Sequence, residues 1–313
     1  MVHRTTQAII IVGSLFVLIA CQAEASNTPT AVPERTETPP PDQVLTLGDV
    51  SGDPAQTIER FQPLADYLAA RLSNFGIKQG KVIVTSDLEA MMKALETGQV
   101  DLYFDSPYPA LAVYEEIGAR PLLRRWKGGA SEYHTLIVAG RDGEAYDLDD
   151  LLGKTLAFDH PASTSGYLLP KAYLATRGYK VTEKSTTESA VDDDEIGYVF
   201  AFGDENVLAW VVQGKTAGAA VPSGDYENLE ADVKEQLTVL AQTRDVPRHI
   251  ALARPGMEET LQATIVTLLL NLHQEPEGPS TLEAFEHTSR FDPLPQGPEG
   301  TMEMLQEMFA PVR

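Results

Sequence analysis

The sequence predicts an α/β protein built as two lobes, and three observations carry that prediction. Residues 44–118 alternate short apolar strands with amphipathic helices, the pattern of a largely parallel sheet covered on both faces. A second block with the same alternation occupies residues 148 to about 243. An apolar strand after Val246-Pro247 then takes the chain back to the first block. The body of about 270 residues, 44–313, is long enough for two domains of ordinary size.

The N-terminus reads as an export signal. Residues 1–6 carry one arginine, Arg4, and residues 8–20 form an almost wholly apolar run of thirteen. A bilayer span needs ~20 such residues, so the run suits the core of a signal peptide instead. It ends in Leu18-Ile19-Ala20-Cys21, which resembles a bacterial lipobox. Residues 1–20 are therefore expected to be removed, with a lipid on Cys21 anchoring the protein outside the cytoplasm at a membrane of the cell envelope. Cys21 is the chain's one cysteine, which excludes an intramolecular disulfide. Residues 21–43 are rich in Thr, Pro, Glu, Ser and Ala and read as a disordered tether.

Val44-Leu45-Thr46-Leu47-Gly48 is the first expected strand. Asp53-Pro54 signals a helix start, and Phe61, Leu64, Leu68 and Leu72 recur at helical spacing behind it. Lys81-Val82-Ile83-Val84 is a strand, residues 87–97 a helix, Val100-Asp101-Leu102-Tyr103-Phe104 a strand, and a further helix runs to Gly118. Residues 122–126 begin a return segment, and residues 132–139 read as one long strand crossing to the second lobe. A helix over 205–212, a strand at Ile250-Ala251-Leu252-Ala253, and helices over 258–273 and 302–309 complete the list. Lobe 1 is thus expected over 44–135 plus 246–313, and lobe 2 over 136–245. The run Asp192-Asp193-Asp194-Glu195 reads as a solvated loop, because consecutive side chains do not converge on one ion.

The stretch with chemistry in it is Asp159-His160-Pro161-Ala162-Ser163-Thr164-Ser165-Gly166. It follows the strand Lys154-Thr155-Leu156-Ala157-Phe158 and opens a helix expected over 166–178. Three hydroxyls would then lie beside helix-start amides that lack intrahelical partners and carry partial positive charge. That is a donor cluster for a tetrahedral oxyanion. A simple N-cap role for Ser163 or Ser165 fits the same residues.

The run AFDHPASTSGYLLP resembles the signature of the substrate-binding proteins of phosphonate and phosphite ABC transporters. VSGDPAQTIERFQPLADYLAARL, TGQVDLYFDSPYPALA, SEYHTLIVAG, LDDLLGKTLAF and ENVLAWVVQGKTAGAAV follow the family's pattern in order. The resemblance implies a bilobed periplasmic-binding-protein fold of type II with its ligand in the cleft between lobes. It also implies a small phosphorus oxyanion held by Ser163, Thr164, Ser165 and Gly166, an ABC permease and ATPase as partners, a monomer, and no cofactor or metal. Several positions depart from the family: Leu88 stands for a tyrosine, Asp105 precedes the proline turn, and Glu205 stands for a ligand histidine. An ionised acid there would repel a dianion by about 4 kcal/mol at 4 Å and an effective dielectric of ~20. Asp105, Glu205, Asp225 and His249 are candidates for reading the ligand's other end, and Tyr103, Tyr108 and Tyr133 for cleft walls; each also reads as a solvated or structural residue.

The formal net charge of −22 excludes nucleic acid as a partner, since no basic stripe offsets the acid. It does not exclude a small anion held by hydroxyls and amides. A serine hydrolase is disfavoured because the residues around Ser163 make no Gly-x-Ser-x-Gly elbow. A metalloenzyme lacks His-x-x-x-His or paired-cysteine spacing. The expectation is a receptor, with a same-fold receptor for an unrelated ligand or for a sensor kinase as the alternative.

Overall fold

The computed structural model describes residues 43–312 apart from 144. The signal segment, Cys21 and the tether up to residue 42 lie outside the described residues. In chain order the elements are β1 Gln43–Val50, α1 Pro54–Arg71, β2 Ile77–Thr85, α2 Leu88–Glu96, β3 Leu102–Asp105, α3 Pro107–Ile117, β4 Arg120–Arg125, β5 Glu132–Tyr133 and β6 Thr135–Gly140. Then come β7 Thr155–Phe158, α4 Leu169–Thr176, β8 Lys180–Glu183, β9 Glu195–Phe200, α5 Asp204–Val212, β10 Gly218–Pro222, α6 Ser223–Asn228, α7 Ala231–Lys234 and β11 Leu237–Gln242. The chain ends with β12 Val246–Pro247, β13 His249–Ala253, α8 Glu259–Asn271, α9 Gly278–Ala284, β14 Phe291–Asp292 and α10 Gly297–Phe309.

Two six-stranded sheets form, ordered β14-β4-β13-β3-β1-β2 and β11-β6-β10-β7-β9-β8. In the first, β1 runs parallel to β2 and β3, while β13, arriving from the second lobe, is antiparallel to β3 and β4. In the second, β7 runs parallel to β9 and β10, while β6, arriving from the first lobe, is antiparallel to β10 and β11. Each lobe therefore takes one strand from the crossing chain. The two crossings pair with each other as a short antiparallel ribbon, Val246 opposite Tyr133 and Pro247 opposite Glu132. The expected long strand over 132–139 is thus two strands in two sheets, broken at His134. The break follows from the ribbon: Tyr133 pairs with β12, and Thr135 already pairs with Pro222.

Local chemistry accounts for the helix ends. Asp53 and Asp87 cap α1 and α2 by accepting from Gln56 N and Ala90 N, and Gly118 ends α3 in the left-handed region that glycine tolerates. The first core packs Phe61, Phe104, Phe285 and Phe291 together with largely edge-on rings. Each such buried ring contributes about 1.5–3 kcal/mol. Glu195 corrects one expectation. Only Asp192, Asp193 and Asp194 are solvated; Glu195 is buried at the start of β9, bonded by Thr182, Lys180 and Lys184. Those hydrogen bonds, from Lys184, Thr182 and Lys180 in falling order, lower its pKa to about 2.

Candidate binding cleft

The strands that run parallel in each sheet, β1 to β3 in one and β7, β9 and β10 in the other, point their carboxyl ends at the crossing ribbon, where open α/β sheets place ligands. Beyond β7 the signature turns back on itself. Ser163 Oγ accepts from Gly166 N at 3.0 Å, and Asp159 N donates to Gly166 O at 3.0 Å. Residues Thr164–Leu168 form a π-helical turn, with Leu168 N donating to Ser163 O, before α4 begins. The expected helix from 166 therefore starts with a wider turn, of the kind often found at functional sites. A Cβ on Gly166 would lie 2.5 Å from Asp159 Cβ and 2.8 Å from Ser163 Oγ, so only glycine fits. The N-cap reading of Ser163 is correct as geometry, and it leaves Thr164 and Ser165 to face elsewhere.

Thr164 faces the other lobe. Its Oγ1 accepts from Tyr108 N at 3.1 Å and donates to Ser106 Oγ at 3.0 Å. Ser106 and Tyr108 stand at the start of α3, so two helix-start regions meet here, both with amide dipoles directed inward. Thr135 Oγ1 fixes the turn from behind by donating to Ser165 O at 2.7 Å. The Tyr133 hydroxyl lies against the hydroxyls of Ser165 and Thr164, and burial raises its pKa above the ordinary phenol value. Three hydroxyls of lobe 2 and the ribbon, one of lobe 1 and one main-chain amide are thus gathered in one place.

Ser163, Ser165 and Tyr133 also line a cavity of about 380 Å³ between β5, the signature turn, the start of α5 and the end of β10. That size suits a small molecule. Its wall is acidic, with Asp159, Asp204, Asp225 and Asp245 among the lining residues. Burial, then the neighbouring Asp159 and Asp225, raise the Asp204 carboxyl to about 6. Asp225 is raised by burial, against the pull of Arg248. Arg248 supplies the wall's guanidinium and lies over the Tyr133 ring, 4.7 Å from its centroid. His134 Nδ1 is 2.8 Å from Asp245 Oδ1.

The structure rearranges the sequence candidates. Ser163, Ser165, Tyr133 and Asp225 line the cavity, whereas Glu205 is exposed and does not; the acid on that helix that does is Asp204. Asp204 is the first residue of α5, directly after Gly203 and the left-handed Phe202; both acids are exposed, but of the two it is Asp204 that lies on the cavity wall. Tyr108 contributes its amide, while its ring packs edge-on against Phe309 at 5.4 Å. Tyr103 is core, fully buried, and its hydroxyl bonds Asp105. Leu88 is a half-buried packing residue at the start of α2. Arg248 and Asp204 carried no sequence signal of their own.

Asp105 and His249 belong to a charge cluster in lobe 1. Asp105 takes hydrogen bonds from Tyr103 Oη, Ser106 N at 2.6 Å and Ser106 Oγ at 3.1 Å; burial nonetheless raises its pKa. Asp49, at the end of β1, rises to about 7, from burial first and then from Glu286 and Asp105. Arg125 is fully buried, bonded to Thr288 Oγ1, Phe285 O and Glu286. His249, its ladder partner, is buried beside Lys127 and Arg125, and burial first, then those cations, depress its pKa well below the usual value. His249 is therefore a neutral interior group, and its chain neighbour Arg248 is the one that lines the cavity. Among the described residues no group of three or more His, Cys, Asp or Glu is placed to hold a metal ion.

Comparison with known proteins identifies the family. Residues 51–296 match the family model described as ABC transporter, phosphonate, periplasmic substrate-binding protein. The Xanthomonas citri protein XAC2383, solved with chloride ion, is 30% identical over 86% of this chain and 97% of its own, with a TM-score of 0.78. The same protein solved with ATP aligns at 27% identity, over 86% and 99% of the two chains, with a TM-score of 0.78. PhnD1 from Prochlorococcus marinus, in complex with methylphosphonate, shares the fold at 18% identity over 86% and 99% of the chains, TM-score 0.60. The phosphate-import protein PhnD of Mycolicibacterium smegmatis is 28% identical over 177 residues, 55% of this chain and 53% of that protein, so the match spans about half of the curated relative. With the family model covering most of its length, the chain belongs to the periplasmic substrate-binding proteins of the ABC phosphonate transporters, a family of two-lobed, non-enzymatic binding proteins.

Proposed function

We propose that this chain is a lipid-anchored receptor that binds a phosphorus oxyanion carrying a positively charged group, such as an aminoalkylphosphonate, and hands it to an ABC permease and its ATPase. The observation that carries the reading is the pairing of two unlike walls in one cavity. Ser163 and Ser165, beside the Thr164 and Tyr133 hydroxyls, offer donors to the oxyanion. Asp204 and Asp225 stand on the same cavity, and among the described residues neither forms an ion pair; Arg248 lies on the same wall, but the acids outnumber it, which suits an ammonium group. The methylphosphonate complex of the Prochlorococcus protein and the phosphate-import role of the mycobacterial relative support the phosphorus end. Cys21 after its apolar run supports the lipid anchor.

The test is thermal unfolding of the protein against phosphate, phosphite, methylphosphonate, aminoethylphosphonate and sulfate. A ligand at 100 times its Kd stabilises by ~2.7 kcal/mol, a shift of several degrees. Selective stabilisation by aminoethylphosphonate is expected; none by any phosphorus compound ends the reading. A second reading, a receptor for a phosphate ester of nucleotide type, is favoured by the ATP complex of the Xanthomonas relative. Adding ATP to the same panel separates the two. Mass analysis of the mature N-terminus, compared with a Cys21→Ala chain, tests the anchor.

A further inference from the structure

Acids dominate the wall of the cavity: Glu132, Asp159, Asp204, Asp225, Glu227 and Asp245 all line it. A phosphorus dianion entering that space meets like charge on most sides, and hydroxyl donors bring no full opposite charge to it. His134, also on the wall, is engaged with Asp245 at 2.8 Å. Among the described residues, Arg248 is then the one fixed cation lining the cavity. It stands between β12 and β13, on the crossing that returns to lobe 1. Its main-chain N–H donates to Ser131 O at 2.8 Å, which pins it to the other crossing. Its guanidinium carbon lies 4.7 Å from the centroid of the Tyr133 ring, and the hydroxyl of that same ring lies against the hydroxyls of Ser165 and Thr164. One tyrosine ring therefore separates the guanidinium from the oxyanion turn. The Arg248 charge is felt at Asp225 and Asp204, yet among the described residues its guanidinium forms no hydrogen bond and no ion pair. Stacking on Tyr133 holds the group in place and leaves its fork of N–H donors unspent.

We propose that Arg248 is a ligand-binding residue, the charge partner of the phosphorus oxyanion, which it grips from the hinge while Ser163 and Ser165 hold other oxygens from lobe 2. The inference rests on the phosphorus-ligand reading above and adds the cation that the hydroxyl cluster lacks. A guanidinium meets two oxygens of a tetrahedral anion side by side, a geometry that an ammonium group cannot reproduce. The anion needs no group of the lobe 1 sheet for this grip, so it is held before lobe 1 closes over it. Asp204 and Asp225 are left for the positively charged end of the ligand.

The experiment is calorimetric titration of the full chain with methylphosphonate and aminoethylphosphonate, at about 20 and about 300 mM salt. Arg248→Met keeps an apolar stem over Tyr133 and removes the charge and the fork, whereas Arg248→Lys keeps the charge alone. Methylphosphonate affinity should fall about 10- to 100-fold in Arg248→Met and about 3- to 10-fold in Arg248→Lys. Added salt should weaken methylphosphonate binding more in the wild type than in Arg248→Met, since an attraction is there to be screened. Arg244→Gln, on the same crossing but lining a different groove, should change neither reading. A methylphosphonate affinity in Arg248→Met within about threefold of wild type overturns the proposal and leaves the ligand reading intact. An equal salt response in the two proteins does the same, and marks Arg248 as a packing residue on Tyr133. So does tighter aminoethylphosphonate binding in Arg248→Met, which would show that the guanidinium only screens the acids. Where Arg248→Met does not fold, Arg248→Lys decides by the same threefold limit. If the wild type binds neither phosphonate, the ligand reading falls and this inference falls with it.

Discussion

The main-chain N–H of Tyr108 donates to the Thr164 hydroxyl across 3.1 Å, tying the first turn of α3 in one lobe to the oxyanion turn of the other. The bond means that the two halves of the cleft meet through ligand-type groups, with a single hydroxyl accepting from one lobe and donating back to it. Thr164→Val keeps the shape of the side chain and removes both functions. It leaves the Tyr108 amide and the Ser106 hydroxyl without their partner across the cleft. Two neutral hydrogen bonds of about 0.5–1.5 kcal/mol each are lost from the junction of the lobes, so affinity for the phosphorus ligand should fall about 10- to 100-fold. Calorimetry reads this directly, and a loss below about threefold would remove Thr164 from the binding machinery.

Asp204 and Asp225 bear on ligand choice in a different way. If their carboxylates receive an ammonium group, Asp204→Asn and Asp225→Asn should weaken aminoethylphosphonate while sparing or strengthening methylphosphonate. The ratio of the two affinities should drop about tenfold for each substitution, the worth of one charge-assisted contact. An unchanged ratio in both variants would place the ligand's far end on another wall. Glu205→Gln, exposed and off the cavity, serves as the control on the same helix.

How much of this was readable from the chain varies with the range of the forces involved. Helix starts at Asp53 and Asp87 and the stop at Gly118 are local chemistry, and the sequence states them. The signature turn was legible because three hydroxyls and a glycine fall between a strand and a helix. The broken strand at His134 was not, since nothing in residues 132–139 reveals that Tyr133 and Thr135 pair with strands of different sheets. Nor was the choice of Asp204 over Glu205: the two are adjacent acids, and where α5 begins relative to the cavity decides which of them lines it. Glu195 closes a run that reads as solvent-exposed, yet Lys180 and Lys184, eleven and more residues earlier, bury it. Contacts distant in sequence carry each of these differences.

Gly166 offers a test of the turn's close packing. Gly166→Ala places a methyl group 2.5 Å from Asp159 Cβ and 2.8 Å from Ser163 Oγ, and neither neighbour is the free end of a flexible chain. Ser163 Oγ also holds the Gly166 amide, so the methyl displaces the cap as well. Overpacking of this kind costs about 1–3 kcal/mol, and the melting temperature should drop by roughly 2–10 °C. Binding should weaken further than stability, because the displaced group sits on the cavity. A variant with wild-type melting and binding would mean that the turn relaxes freely.

Asp49 gives the pH dependence. Its ordinary value of 3.8 is raised to about 7 in the folded protein, by burial first and by Glu286 and Asp105 after it. The folded state therefore holds a proton that the unfolded chain has already released between those two values, and stability falls as pH rises through that window. Asp49→Asn removes the titration. The stability of the variant relative to wild type should rise between about pH 4 and 7 and level off above, by on the order of 1–2 kcal/mol once solvent screening of a partly exposed carboxylate is allowed for. Denaturant unfolding at a series of pH values measures the difference. Arg125 and Lys127 pull the other way, so a gap that stays flat or narrows over the window would show that those cations keep Asp49 ionised and that the cluster is a plain ion-pair network.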